Sequence, residues 1–137
     1  ELHEILASIS EWNYVFNGNL EFQYIGRHNM EISILEMVQT HKAMIINKIS
    51  EDEEYIVSTK SRVLAYAQGG VISVVMERVG IDRLRGVMLH EIGHVLGMNH
   101  FGESLMRPEY DFRSYYCVTK EVVDEMVKIW KFKNKNI

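Results

Sequence analysis

Apolar side chains recur at Leu2, Ile5, Leu6, Ile9, Trp12, Val15 and Phe16, a spacing of three and four that predicts an amphipathic helix. Asn17-Gly18-Asn19 is placed to stop it. The period then changes to two. Leu20, Phe22 and Tyr24 alternate with polar neighbours, as a half-buried strand does, and so do Met30, Ile32 and Ile34 after a turn at Gly26-Arg27-His28-Asn29. The apolar run Ala43–Ile49 predicts a third strand. Val63–Ala67 and Val71–Met76, parted by Gly69-Gly70, predict two more. Asp82 is placed to cap a helix carrying Leu84, Val87, Met88 and Ile92 toward Leu96, with Gly97 at its end. Thr119 stands likewise before Val122, Val123, Met126, Val127 and Trp130, which share one helix face. The strands cluster between helices instead of alternating with them, which predicts an α+β fold.

Length and composition narrow this picture. With 137 residues, 47% of them hydrophobic and 25% charged, the chain is expected to be one domain, 1–137, with its own core. The lone Cys117 excludes an internal disulfide and a Cys-rich zinc module; it reads as a small buried hydrophobe. A formal net charge of −4 argues against a nucleic-acid partner. The longest apolar stretches are too short to span a bilayer, and no secretory leader pattern opens the chain. No coiled-coil repeat is visible, so a monomer is expected. Glu51-Asp52-Glu53-Glu54 reads as a solvated acidic loop and not as a calcium site. The lysines at 128, 131, 133 and 135 read as a solvated tail, and His3, His28 and His41 as solvated side chains.

One segment carries the chemistry: His90-Glu91-Ile92-Gly93-His94-Val95-Leu96-Gly97-Met98-Asn99-His100. On a helix, His90 and His94 lie one turn apart on one face, a spacing at which two imidazoles can grip one Zn²⁺ at about 2.0–2.1 Å each. Glu91 then sits beside the metal and not on it, where a base for an attacking water belongs. The helix cannot present a third ligand without breaking. Gly97 can take the left-handed conformation that turns the chain back, and His100 follows. Three protein ligands leave one coordination position open, as catalytic zinc sites do.

This segment, His-Glu-x-x-His-x-x-Gly-x-x-His followed by a methionine, resembles the metzincin zinc metallopeptidases. Ser104-Leu105-Met106-Arg107-Pro108 looks like that family's Met-turn, in which the methionine, here Met106, underlies the zinc ligands. Within the metzincins the chain is most similar to the matrixins, the matrix-metalloproteinase type. Pro108-Glu109-Tyr110 matches their Pro-x-Tyr, implying that Pro108 and Tyr110 line a specificity pocket. Leu64-Ala65-Tyr66-Ala67 resembles the edge strand above the matrixin cleft, implying that these four residues bind substrate. The resemblance implies a small mixed sheet with an N-terminal helix, an active-site helix and a C-terminal helix. An upper part, about 1–97, would face a lower part, about 98–137. It implies one catalytic zinc, a protein or peptide substrate and an extracellular setting, with a cytoplasmic one left open. A second zinc and calcium stay open, since Tyr66 stands where many matrixins have a histidine ligand of a structural zinc. The chain also departs from the matrixin pattern at Phe101, where they usually have Ser or Thr.

The expected activity is zinc-dependent hydrolysis of peptide bonds, with Glu91 as general base and then acid. Two alternatives remain at this point. One is a zinc-containing module that binds peptides without cutting them. The other is a peptidase whose third ligand is a carboxylate such as Glu103 or Glu109.

Overall fold

A computed structural model describes residues 1–50 and 63–131. The acidic run Glu51–Glu54 and the lysines at 133 and 135 lie outside the described residues. The elements are α1 (Leu2–Phe16), β1 (Phe22–Arg27), β2 (Ile32–Met37), β3 (Lys42–Ile49), β4 (Ala65–Gln68), β5 (Val71–Val75), α2 (Met76–Val95) and α3 (Lys120–Trp130). This is the α+β class expected from the clustering of strands.

The five strands form one sheet in the order β1-β2-β3-β5-β4. β3 and β5 run parallel; every other neighbouring pair is antiparallel. Among the described residues, β4 is therefore an edge strand that pairs only with β5, and the residue before it is tied in as well, since Val75 N–H donates to the Leu64 carbonyl. α1 and α2 pack together. Trp12 is fully buried between them and its indole N–H donates to the Leu89 carbonyl at 3.2 Å. That bond satisfies the one polar atom of a large side chain placed in the core. Phe16 stacks on the Trp12 ring, and Leu35, Ile46 and Ile72 bring the inner sheet face to the same core.

Several expected boundaries are corrected. Gly26-Arg27 is strand, not turn: the ladder slips one residue between Tyr24 and Gly26 and then continues to the pair Arg27↔Ser33. Gly26, at φ 147°, accommodates that bulge. The turn falls later, where the Asn29 side-chain oxygen accepts from the N–H groups of Glu31 and Ile32. Met30 is consequently exposed and outside β2. Val63 and Leu64 precede β4. Met76 opens α2 and does not end a strand, because the ladder is complete at Val75. The helical run is broken at Gly80 (φ 67°, ψ 169°), so its long regular part starts beside Asp82, where the helix was expected. Thr119 takes the extended N-cap conformation before α3, but its hydroxyl makes no cap bond and is buried without a partner among the described residues. Cys117 is exposed, not buried: the chain crosses the surface there and turns Tyr115 inward instead.

Candidate metal centre

The end of α2 is built by the helix-stop chemistry expected of Gly97. Gly97 has φ 103°. Its N–H donates to the His94 carbonyl, and Met98 N–H donates to the Gly93 carbonyl. These two bonds form a Schellman motif, which satisfies carbonyls the helix end would leave orphaned and reverses the chain. The reversal brings His100 back over the helix. His94 Nε2 lies 3.1 Å from His90 Nε2 and 3.0 Å from His100 Nε2. Among the described residues, these three form a group whose ligand atoms lie within 4.8 Å of one another.

The donor set fits zinc on two further grounds. Tetrahedral ligands at zinc–nitrogen bond length stand about 3.3 Å apart, close to the separations found between these nitrogens. The remote ring nitrogens are also already committed. His90 Nδ1 lies 2.6 Å from the Leu105 carbonyl and His94 Nδ1 lies 2.9 Å from the Met98 carbonyl. A carbonyl only accepts, so each Nδ1 carries the proton and each Nε2 is left with its lone pair toward its neighbours. Burial pushes the His90 imidazole down to about 4, and the two neighbouring imidazoles lower it further. It is therefore neutral near pH 7, the form in which imidazole ligates metals. Burial and His94 also lower His100, although that residue is exposed.

Glu91 is buried, and its Oε2 has no hydrogen-bond partner among the described residues. Burial raises its carboxyl from an ordinary value to about 7. An unpaired carboxyl beside three metal-type ligands, with a pKa near neutrality, has the attributes of a proton-transfer group.

The turn after the histidines is closed by Phe101 N–H donating to the Met106 carbonyl. Met106 is fully buried and its sulfur packs where a Cβ on Gly93 would sit, 2.6 Å away. Glu121 at the start of α3 accepts from the Ser104 hydroxyl and fills the space left by Gly102. At its far end Trp130 donates to the Leu96 carbonyl at 2.9 Å. The last helix thus braces both ends of the histidine-bearing loop.

Of the expected substrate-binding residues, Leu64, Ala65, Pro108 and Tyr110 line one cleft together with His90 and Glu91. Tyr66 and Ala67 line an adjoining hollow together with Ala65, Glu91, His94 and His100. The edge strand and the Pro108–Tyr110 segment therefore flank the histidine group. The alternative carboxylates do not join it: Glu103 is exposed and pairs with Arg107 at 3.2 Å. Glu109 is exposed at the rim of the cleft.

Five residues were missed by sequence reasoning. Leu105 and Met98 act through their carbonyls, which no side-chain pattern reveals. Gly86 and Gly93 interrupt an otherwise regular helix, a costly choice that signals close approach of another part of the chain. A Cβ at Gly86 would stand 1.8 Å from the Tyr115 carbonyl oxygen. Tyr115 itself, buried and stacked on the His90 ring with centroids 4.2 Å apart, sits in a segment with no helix or strand period.

No curated protein matches the chain. The family model described as Matrixin, a peptidase family, matches residues 38–130, which is more than half of the chain and includes β3, β4, β5, α2, α3 and the whole histidine segment. With that match added to a mixed five-stranded sheet and a converging three-histidine group, the chain belongs to the matrixin family of zinc metallopeptidases.

Proposed function

We propose that the chain is a single catalytic domain that cuts protein or peptide substrates in an extracellular setting. His90, His94 and His100 hold one catalytic zinc, and Glu91 is the general base and acid. The observation that carries this reading is the buried, unpartnered Glu91 oxygen beside three imidazoles whose Nε2 atoms face one another. Burying a carboxyl without a partner costs stability, so the position calls for a function; a module that only binds peptides has no use for it there.

Zinc held by these imidazoles supplies Lewis acidity, acidifying water and polarising a peptide carbonyl. Glu91 Oε2 accepts the proton of the attacking water and returns it to the departing amine. The Leu105 and Met98 carbonyls keep the His90 and His94 rings oriented by holding their Nδ1 protons. A substrate strand lies along the open edge of β4, whose backbone groups on that side have no partner strand among the described residues. Its side chain beyond the cut enters the cleft between α2 and Pro108–Tyr110.

The test is cleavage of a peptide library by purified protein, with and without a zinc chelator, beside Glu91→Ala. The reading expects cleavage only in the untreated wild type; equal cleavage in all three samples would refute it. The ligand set is tested separately. His100→Ala is expected to lose tight zinc binding by about 100-fold or more, while Glu103→Ala and Glu109→Ala keep it. Zinc affinity, measured by competition with a chromogenic chelator, decides. Retention of tight binding in His100→Ala would reinstate a carboxylate as third ligand.

A further inference from the structure

His90 is held differently from the other two imidazoles. Its Nδ1–H donates to the Leu105 carbonyl, as that of His94 does to Met98. One hydrogen bond fixes one point of a ring and leaves the ring able to tilt about that point. On His90 a second contact opposes the tilt. The Tyr115 ring lies against its face, with centroids 4.2 Å apart and planes 20° apart. It extends far enough that its hydroxyl stands 3.3 Å from His90 Nε2, the nitrogen turned toward the other imidazoles. Among the described residues, the aromatic contacts of His94 are edge-on, with the other two imidazoles, and His100 is exposed.

The Tyr115 ring is itself fixed from several directions. Gly86 stands one helical turn before His90 on the same face of α2. With no Cβ there, the Tyr115 carbonyl comes down onto the helix; a Cβ would stand 1.8 Å from its oxygen. The ring then covers the next turn, which carries His90. Three residues on, Val118 N–H donates to the Glu11 carboxylate of α1. The phenol hydroxyl donates to the Arg107 carbonyl, and Tyr110 meets the ring edge to face with centroids 5.1 Å apart. Tyr115 is 7% exposed. A ring anchored through its backbone, its edge and its hydroxyl can hold a neighbour still.

We propose that Tyr115 is a positioning residue for the metal centre: its ring packs on the face of His90 and keeps Nε2 aimed at the point where the three imidazoles converge. This rests on the zinc-peptidase reading above. A ligand ring free to tilt must be ordered when the ion binds, and that ordering subtracts from affinity; a ring already held binds without it. The ring acts here and not the hydroxyl, whose proton is committed to Arg107.

Two variants separate ring from hydroxyl. Tyr115→Phe keeps the flat ring, and Tyr115→Met fills similar space with a flexible chain that has no face. Zinc affinity is measured by competition with a chromogenic chelator, under conditions where circular dichroism shows each metal-free protein folded. Tyr115→Met is expected to bind zinc about tenfold or more weakly than wild type, and Tyr115→Phe to match wild type. Cobalt(II) in place of zinc reads the ligand geometry: the visible bands of Tyr115→Met are expected to shift, and those of Tyr115→Phe to coincide with wild type. A tyrosine that only filled the core would lower stability when truncated and leave both readouts in place. Equal affinity with an unchanged cobalt spectrum in Tyr115→Met therefore overturns the proposal, and so does an equal loss in Tyr115→Phe. Should Tyr115→Met fail to fold, proton NMR of the zinc-loaded wild type decides. The ring protons of His90 are expected upfield of those of His94, because a ring current acts on their face; coincident shifts overturn the stack. None of these measurements needs turnover. Affinities that follow the series while no peptide is cut leave Tyr115 in this role and remove the peptidase reading; cleavage with equal affinities does the reverse.

Discussion

Glu91→Gln is expected to lower peptide hydrolysis by about 10²–10⁴-fold while zinc content stays at that of the wild type. The amide fills the same space but cannot accept and return a proton. It lies outside the three-imidazole group, so metal binding does not depend on it. The same variant has an opposite effect on stability. Burial raises the Glu91 carboxyl to about 7 in the folded, metal-free chain, above its ordinary value. A group with a raised folded pKa contributes its stability fully below the unfolded value and loses it as pH rises through the folded one. Metal-free wild type therefore loses stability on this account between about pH 4.5 and 7, up to about 3 kcal/mol. Glutamine has no charge to desolvate. Glu91→Gln is thus expected to melt with wild type near pH 4 and above it near pH 8. His90 titrates with the opposite slope, because its folded pKa is lowered to about 4, but it does so in both proteins and cancels in their difference. Thermal melts of both proteins in chelator across that range check the sign. Undiminished turnover in Glu91→Gln would remove Glu91 from the reaction altogether.

Gly86→Ala is expected to destabilise the chain by about 3 kcal/mol or more, a large fraction of an ordinary domain's total. On an isolated helix the change would help by about 1 kcal/mol, since alanine is the better helix former. Here the new methyl carbon would lie 1.8 Å from the Tyr115 carbonyl oxygen, far inside contact distance. That atom is backbone and cannot swing aside. The segment must lift from α2, carrying with it the tyrosine stacked on His90 and the bond between Val118 and Glu11. Gly93→Ala is a useful comparison. Its Cβ would meet the Met106 sulfur at 2.6 Å and the Met98 methyl at 3.0 Å. Both are side-chain atoms, and thioethers repack more easily than backbone, so the cost is expected to be smaller, about 1–2 kcal/mol. Urea melts of the two variants check the order. A Gly86→Ala protein as stable as wild type would mean that the Tyr115 segment does not rest on the helix.

Much of the architecture was legible because it is periodic. The apolar stripe from Leu2 to Phe16 and the one from Val122 to Trp130 reflect the helix repeat alone, and both helices form where that repeat runs. Strand ends were less legible. The bulge at Gly26 lets the ladder run on through residues whose local signal is a turn, and the end of β5 is set by its partners β3 and β4. Thr119 was legible by residue type and stands at the N-cap of α3, but its hydroxyl makes no cap bond.

For the candidate site, the chain's own covalent geometry accounts for the convergence of the imidazoles. Positions four apart share a helix face, and a glycine at the helix end reverses the backbone within three residues; both are local and survive any packing. Which nitrogen of the His90 ring is free, how deeply Glu91 is buried, and what packs against the His90 ring were decided elsewhere. They depend on the Leu105 carbonyl, on α1 and the sheet closing over α2, and on Tyr115 crossing to Gly86. These contacts join residues far apart in sequence, and no local spacing specifies them, because their energy exists only once separate elements have packed.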